Sequence, residues 1–248
     1  MTPGIRITLG LVFGVAAALN LPGSNPSSDD PDKDPQLPRL LEEARTFVDN
    51  KKPQAASERC DRVIALFKNH YGNSKHTVYC ARSSAETLGY LLQAAAAVDK
   101  GEFERGKKDA IVLSSTWASA YFLKSYALQD LHHLGEAKSA IKLALELSPW
   151  SSLYLSELGS IYKLEKDWAG AREVFERAEE HAALSPDNLK AAELSLARRG
   201  LGYVLVELGQ LDEAEKKYQQ CLKENPKDKK ATAELEYVRG LKAKAKSK

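Results

Sequence analysis

The chain has little of what catalytic sites are usually built from. Its 248 residues include three cysteines, at 60, 80 and 221, and none pairs with another at the spacing of a zinc site. The histidines at 70, 76, 132, 133 and 181 make no His-x3-His pair, and none stands at a useful spacing from a nucleophile. His132-His133 precede Leu134-Gly135 and read as a solvated turn. There is no phosphate-cradling glycine loop and no Gly-x-Ser-x-Gly elbow. Glu165, Asp167, Glu173 and Glu176 are spaced as the wet side of a helix and receive no acid–base role. No cofactor or metal is therefore expected, and the chain reads as a non-enzyme.

An excess of one charge is missing too. Lysine and arginine number 36 against 34 acidic residues, a formal +2, so no strong field draws the chain to nucleic acid or an anionic membrane. Proline is scarce in the periodic part of the chain, while Pro22, Pro26, Pro31, Pro35 and Pro38 crowd near its start. The longest apolar run, Ile7 to Leu21, has about 15 residues, short of the ~20 that span a bilayer comfortably. With Arg6 before it and Ala16-x-Ala18 inside it, residues 1–21 read as a secretory signal. An uncleaved anchor is the alternative, and the absence of a following cysteine argues against a lipoprotein. The expected location is periplasmic or secreted; membrane-anchored and cytoplasmic are the alternatives. Residues 22–36, rich in proline, serine and aspartate, read as a flexible acidic linker.

What is present is apolar periodicity at helical spacing. Between residues 152 and 185, Leu155, Leu158 and Tyr162 form one stripe and Ala171, Phe175 and Ala178 another, separated by Glu165-Lys166-Asp167. Gly159 and Ala171 remove bulk where two antiparallel helices approach. The pattern Leu155-x2-Leu158-Gly159-x2-Tyr162 followed by Ala171-x3-Phe175-x2-Ala178 resembles a tetratricopeptide repeat. Residues 118–151 repeat it in part, with Tyr121, Lys124-Ser125, Leu128, Ala137, Ile141, Ala144 and Pro149. Tyr121 and Leu155 are 34 residues apart, as are Ala137 and Ala171, which is the family period. A third copy over 186–228 carries Leu201-Gly202, Leu205, Ala214, Tyr218, Cys221 and Pro226. Its anchor Arg198 lies 43 residues after Leu155, so nine residues are inserted. Ser185-Pro186-Asp187 places them at the N-terminal end of the first helix, as a capped extension protruding by about two turns.

Upstream, residues 37–116 read as degenerate hairpins of the same kind. Leu40, Ala44 and Phe47 face Ala56, Cys60 and Val63; a longer helix is expected from about Lys75 to Val98, and a second helix of a degenerate repeat over 101–116. Residues 229–248 read as a capping helix, with Ala233, Tyr237 and Leu241 on one face, ending in a frayed lysine-rich tail.

The resemblance implies an all-α, right-handed α-solenoid of antiparallel helix hairpins closed by a C-terminal capping helix. Joined to the export reading, it describes an exported bacterial member of the family. It further implies a non-catalytic scaffold for protein–protein interaction, binding a peptide or helix in a groove lined by the first helices. The positions facing that groove are Phe122, Tyr126 and Gln129, then Ser156, Ser160 and Lys163, then Arg199, Tyr203 and Val206. This set suits apolar side chains, with Lys163 and Arg199 available to a carboxylate. No asparagine occurs among these positions, so the lysine–asparagine clamp of chaperone-binding members is not carried over. Phe122 and Tyr203 can equally serve packing between repeats, as Trp117, Trp150 and Trp168 are expected to do. The expected partner is a protein or peptide, not nucleic acid, with a membrane reached only through an uncleaved N-terminus. Self-association is the second reading, through the extended helix after Pro186 or an end hairpin. An enzyme-accessory role would need an unrecognised site within 70–116. Cys221 reads as an inert core thiol, whereas Cys60 and Cys80, on helices expected to lie side by side, would bond if their Cα atoms come within ~7 Å.

Overall fold

The computed structural model describes residues 29–100 and 109–246; the signal reading of 1–21 lies outside them. Helix hairpins make up most of the described chain. They are α1 (Gln36–Asp49) with α2 (Pro53–Tyr71), α4 (Thr116–Asp130) with α5 (Leu134–Leu147), α6 (Ser152–Leu164) with α7 (Trp168–His181), and α8 (Asp187–Glu207) with α9 (Leu211–Glu224). A final helix, α10 (Lys229–Lys246), packs on α9.

All four hairpins turn the same way. A residue just past the first helix has positive φ in each: Lys51 at 59°, His132 at 63°, Lys166 at 59° and Gly209 at 73°. The next N–H then reaches back to a carbonyl five residues earlier: Lys52 to Phe47 at 2.8 Å, His133 to Leu128 at 2.9 Å, Asp167 to Tyr162 at 2.9 Å and Gln210 to Leu205 at 2.8 Å. This is a Schellman closure, which satisfies carbonyls that a helix end leaves unpaired. The shared acceptor position puts α1/α2 in register with the later hairpins although it lacks the Leu-Gly pair. Its Ala44, Ala56, Cys60 and Val63 are fully buried, as the stripes predict.

Close approach between hairpins depends on missing side chains. A Cβ on Gly159 would lie 2.7 Å from the Phe175 ring, and one on Gly200 only 2.2 Å from it. Phe175 is thereby wedged between α6 and α8, joining two repeats. The extension of the third copy is real helix: α8 has 21 residues against 13 in α6. Ser185 does not cap it: Pro186 stands at the cap position, and the Ser185 hydroxyl donates to Glu193 at 2.7 Å.

The segment between α2 and α4 departs from expectation. The helix expected from about Lys75 to Val98 is helical only from Ser84, as α3 (Ser84–Lys100), and is preceded by strand β1 (Thr77–Ala81); of the second helix expected over 101–116, residues 101–108 lie outside the described ones and Ala110–Ser114 form strand β2. The strands pair in parallel, from Thr77 opposite Ala110 to Ala81 opposite Ser114. Both are five-residue runs rich in β-branched and aromatic side chains, Thr77-Val78-Tyr79 and Ile111-Val112, too short for periodicity to separate strand from helix. Helix α2 packs directly on α4, with Phe67 stacked on Trp117 at 5.6 Å. The hairpin series therefore continues past the strand–helix–strand unit, an insertion that displaces the next repeat along the sequence.

Both ends of the described chain are more ordered than expected. Within the 22–36 stretch, Pro31–Lys33 forms a short 3-10 helix with Pro31 buried. Asp30 accepts from the Tyr71 hydroxyl at 2.6 Å and Asp32 from the Ser114 hydroxyl at 2.6 Å, so carboxylates read as linker are anchors. At the other end α10 runs to Lys246, and Lys242, read as frayed, bridges Asp212 and Glu215 of α9 at 2.6 Å each. No helix among the described residues is long and apolar enough to cross a membrane.

Candidate partner-binding face

The first helices α4, α6 and α8 bring the nominated residues together, mostly in contact with one another. Phe122 is 8% exposed, with its ring 5.0 Å from Tyr126 and 5.0 Å from Tyr154 of α6. Gln129 donates to the Glu157 carboxylate at 2.5 Å, linking α4 to α6. Burial raises the pKa of Glu157, opposed by hydrogen bonds from Gln129 and Tyr126. The Tyr126 phenol is pushed well up by burial and by the neighbouring Glu157. Ser156 is 1% exposed, and its Oγ finds no partner among the described residues; Ser160 donates to the Ser156 carbonyl at 3.0 Å.

The two cations of the set differ. Arg199 already has a carboxylate: its Nη1 lies 2.5 Å from Asp228 Oδ2, which also accepts from Ser195 at 2.9 Å. The other oxygen of Asp228 accepts from the Lys230 and Ala231 amides, each at 3.0 Å, so Arg199 helps to seat the start of α10. Burial works to raise the Asp228 pKa, but the Ala231 amide, Ser195 and Arg199 hold it below its usual value. Lys163 has no ion-pair partner among the described residues. Its Nζ sits 4.0 Å from the Tyr203 ring centroid, a cation–π contact. Burial lowers its pKa, and Glu234 and Glu207 offset part of that effect. Tyr203 also meets Trp168, with centroids 6.3 Å apart.

One end of this face is occupied by the insertion, through residues that periodicity did not single out. Arg82, between β1 and α3, forks onto Glu193 of α8 at 2.7 and 3.1 Å and reaches Glu86 at 3.0 Å. It also lies over the Tyr154 ring, 5.4 Å from its centroid. Burial opposes the guanidinium charge, yet Glu193 and Glu86 hold its pKa above the ordinary value. Ser83 donates to the Leu184 carbonyl at 2.6 Å. The extra turns of α8, expected to protrude, thus receive the insertion, and Glu193 is 1% exposed. The sequence signal available was a glutamate within the added nine residues, with nothing to name its partner.

All three cysteines are buried free thiols. Cys80 stands in β1, not on a helix beside α2, so the packing that would pair it with Cys60 does not arise. Burial pushes both thiols up to about 12, which keeps them protonated and unreactive. The tryptophans do pack at junctions: Trp117 on Phe67, Trp150 between Tyr90 and His181, and Trp168 on Tyr203.

Two stretches, residues 118–149 and 195–228, match family models described as tetratricopeptide repeat. A comparison with curated proteins found no match. Among solved structures, nearly identical TPR-like repeats from Podosopora anserina align over 88% of this chain and 98% of theirs, at 15% identity and a TM-score of 0.50. MamA aligns over 77% of this chain and 79% of its own, at 17% identity and a TM-score of 0.48. The first TPR of Spaghetti (RPAP3), bound to the HSP90 peptide SRMEEVD, covers 52% of this chain and 96% of its own, at 22% identity and a TM-score of 0.45. The tetratricopeptide likeness is therefore shown for those two stretches, and the fold of the described residues is a mostly helical, TPR-like hairpin array with a C-terminal helix. Such repeats are typically protein–protein interaction modules and generally non-catalytic.

Proposed function

We propose that this chain is a non-catalytic scaffold that holds a peptide or helix of a partner protein against α4, α6 and α8, and that it works after export, in the cell envelope or outside the cell. The observation that carries the binding reading is Lys163. A partly buried ammonium stacked on Tyr203, with no carboxylate within ion-pair distance among the described residues, bears a desolvation cost that a partner's carboxylate would offset. Phe122, Tyr126 and Tyr203 supply aromatic surface beside it. The HSP90 peptide belongs to the Spaghetti structure; the absence of asparagine from this face gives no ground for bringing that ligand here.

The test is affinity capture from the native source with the wild type and with Lys163→Ala/Tyr203→Ala, followed by titration of the captured partner's binding segment. Arg199 is left intact because its loss would disturb α10. The double variant is expected to bind at least about tenfold more weakly, as when a buried anchor is truncated; unchanged affinity would remove this face from the interaction. N-terminal sequencing of the mature protein tests export, and an intact Met1 speaks against cleavage.

A further inference from the structure

Helix α10 is expected from the sequence only to cap the array, yet its burial repeats that of α8 at the 34-residue period. Ala197, Leu201 and Val204 of α8 have their counterparts in Ala231, Leu235 and Val238, and all six are buried. The stripe expected to pack, Ala233, Tyr237 and Leu241, is not the one that does: Ala233 is exposed, and Tyr237 is 58% exposed. Where α8 sets Gly202 and Leu205 against α9, α10 has Glu236 and Arg239, both exposed. It thus has the packing of a first helix and, where a second helix would lie, a polar side. The same period carries Tyr203 to Tyr237, so the position nominated for the partner on α8 recurs on α10 as an open ring. The surface beside it is clear, since a Cβ on Gly240 would meet nothing within 4 Å.

Charge says what that position takes. On α8, Glu207 stands one turn after Tyr203, and on α10, Glu234 stands one turn before Tyr237. Both glutamates act on the Lys163 ammonium from beyond ion-pair distance, and both lie near the Tyr203 phenol. Neither has a cation within ion-pair distance among the described residues, Lys163 and Lys230 included; Arg239 and Lys242 of α10 are turned to Glu215. Lys163 therefore stands against two carboxylates, and a partner's carboxylate seated on it would add a third. A basic side chain arriving with that carboxylate restores the balance. We propose, on the footing of the Lys163 reading, that α10 belongs to the binding face and that Tyr237, Glu207 and Glu234 receive a lysine or arginine of the same partner segment whose carboxylate goes to Lys163. A cation is attracted to the face of an exposed tyrosine ring, and the two carboxylates beside the ring supply charge-assisted acceptors. Neighbouring packed helices lie ~8–10 Å apart and an extended segment crossing them advances ~3.3 Å per residue, so the acidic and basic side chains of the partner stand about three residues apart.

The probe is a phage-displayed library of random short peptides, selected on the full chain. Peptides enriched on the wild type should pair Asp or Glu with Arg or Lys about three residues away. Selection on Glu234→Gln/Tyr237→Ala should keep the acidic residue and lose the basic one, while selection on Lys163→Ala should lose the acidic one. Titrated singly, an enriched peptide should bind the α10 variant about tenfold more weakly, and its analogue with alanine for the basic residue should bind variant and wild type alike. The α10 variant should keep the wild-type unfolding midpoint; if it does not fold, Glu207→Gln carries the same comparison from α8. Acidic residues enriched without basic ones overturn the role given to α10 and leave Lys163 in place. Enrichment that ignores Lys163→Ala, or none at all, removes both readings.

Discussion

In the hairpins α6/α7 and α8/α9, Leu155, Ala171, Phe175, Ala178, Ala197, Leu201 and Leu205 are almost fully buried at three- and four-residue intervals. The insertion β1-α3-β2 meets the rest of the chain through different chemistry. A ring stack runs from Tyr79 through Tyr90 and Trp150 to His181, the Ser148 hydroxyl donates to the Cys80 carbonyl at 2.5 Å, and Arg82 is shared between Glu86 and Glu193. The array distributes its stabilisation over many small apolar contacts, each replaceable. The insertion concentrates its attachment in a few buried polar groups, where loss of one leaves others unsatisfied.

That contrast breaks most sharply at Arg82. Its side chain is 8% exposed, between Glu86 at 0% and Glu193 at 1%. Arg82→Met keeps the length but leaves two buried carboxylates without their cation, which costs about 3–5 kcal/mol. Urea unfolding should show that loss, and Arg82→Met/Glu86→Gln/Glu193→Gln should recover most of it by removing the stranded charges. A single variant within about 1 kcal/mol of the wild type would mean that the aromatic stack alone holds the insertion.

The array can be sharpened rather than broken, at its turns. Lys51, His132 and Lys166 hold the left-handed conformation that Gly209 holds in the last hairpin. A side chain there costs roughly 1–2 kcal/mol, and glycine returns about 0.5–1 kcal/mol of that through the freedom it gives the unfolded chain. Lys166→Gly should thus stabilise by somewhat under about 1 kcal/mol, and Gly209→Ala should destabilise by a similar amount. Thermal melts would register both, and a destabilised Lys166→Gly would contradict the shared turn.

These turns also show what a sequence makes readable. Gly209 announces its conformation, while Lys51, His132 and Lys166 do not, because a lysine or histidine is held left-handed by the hydrogen bonds around it. The hairpins were legible because periodic burial leaves a trace at fixed spacing, even in α1/α2 without Leu-Gly. The strands were not, since Thr77–Ala81 and Ala110–Ser114 are short apolar runs whose pairing spans the whole of α3. On the candidate face, the positions followed from the 34-residue register, but their partners did not. Asp228 lies 29 residues from Arg199, and Glu193 lies 111 from Arg82, too far for local pattern to join them.

The mildest test concerns Glu157, where the apolar array and polar chemistry meet inside one repeat. Burial raises its pKa, while Gln129 and Tyr126 pull the other way, so the net shift is upward and the charged form is disfavoured in the native state. For a carboxyl with a raised folded pKa, the associated stability is fully present below the unfolded value of about 4.3 and is lost as pH rises through the folded pKa. Glu157→Gln keeps an acceptor oxygen for Gln129 and Tyr126 but cannot ionise. Relative to the wild type, it should therefore gain stability as pH rises above about 4, by less than either preceding change because two hydrogen bonds already favour the carboxylate. Taking the difference between variant and wild type at each pH cancels the titration of the other acids. If the variant instead loses ground as pH rises, the ionised carboxylate is what binds α4 to α6, and burial is the weaker of the two influences on it.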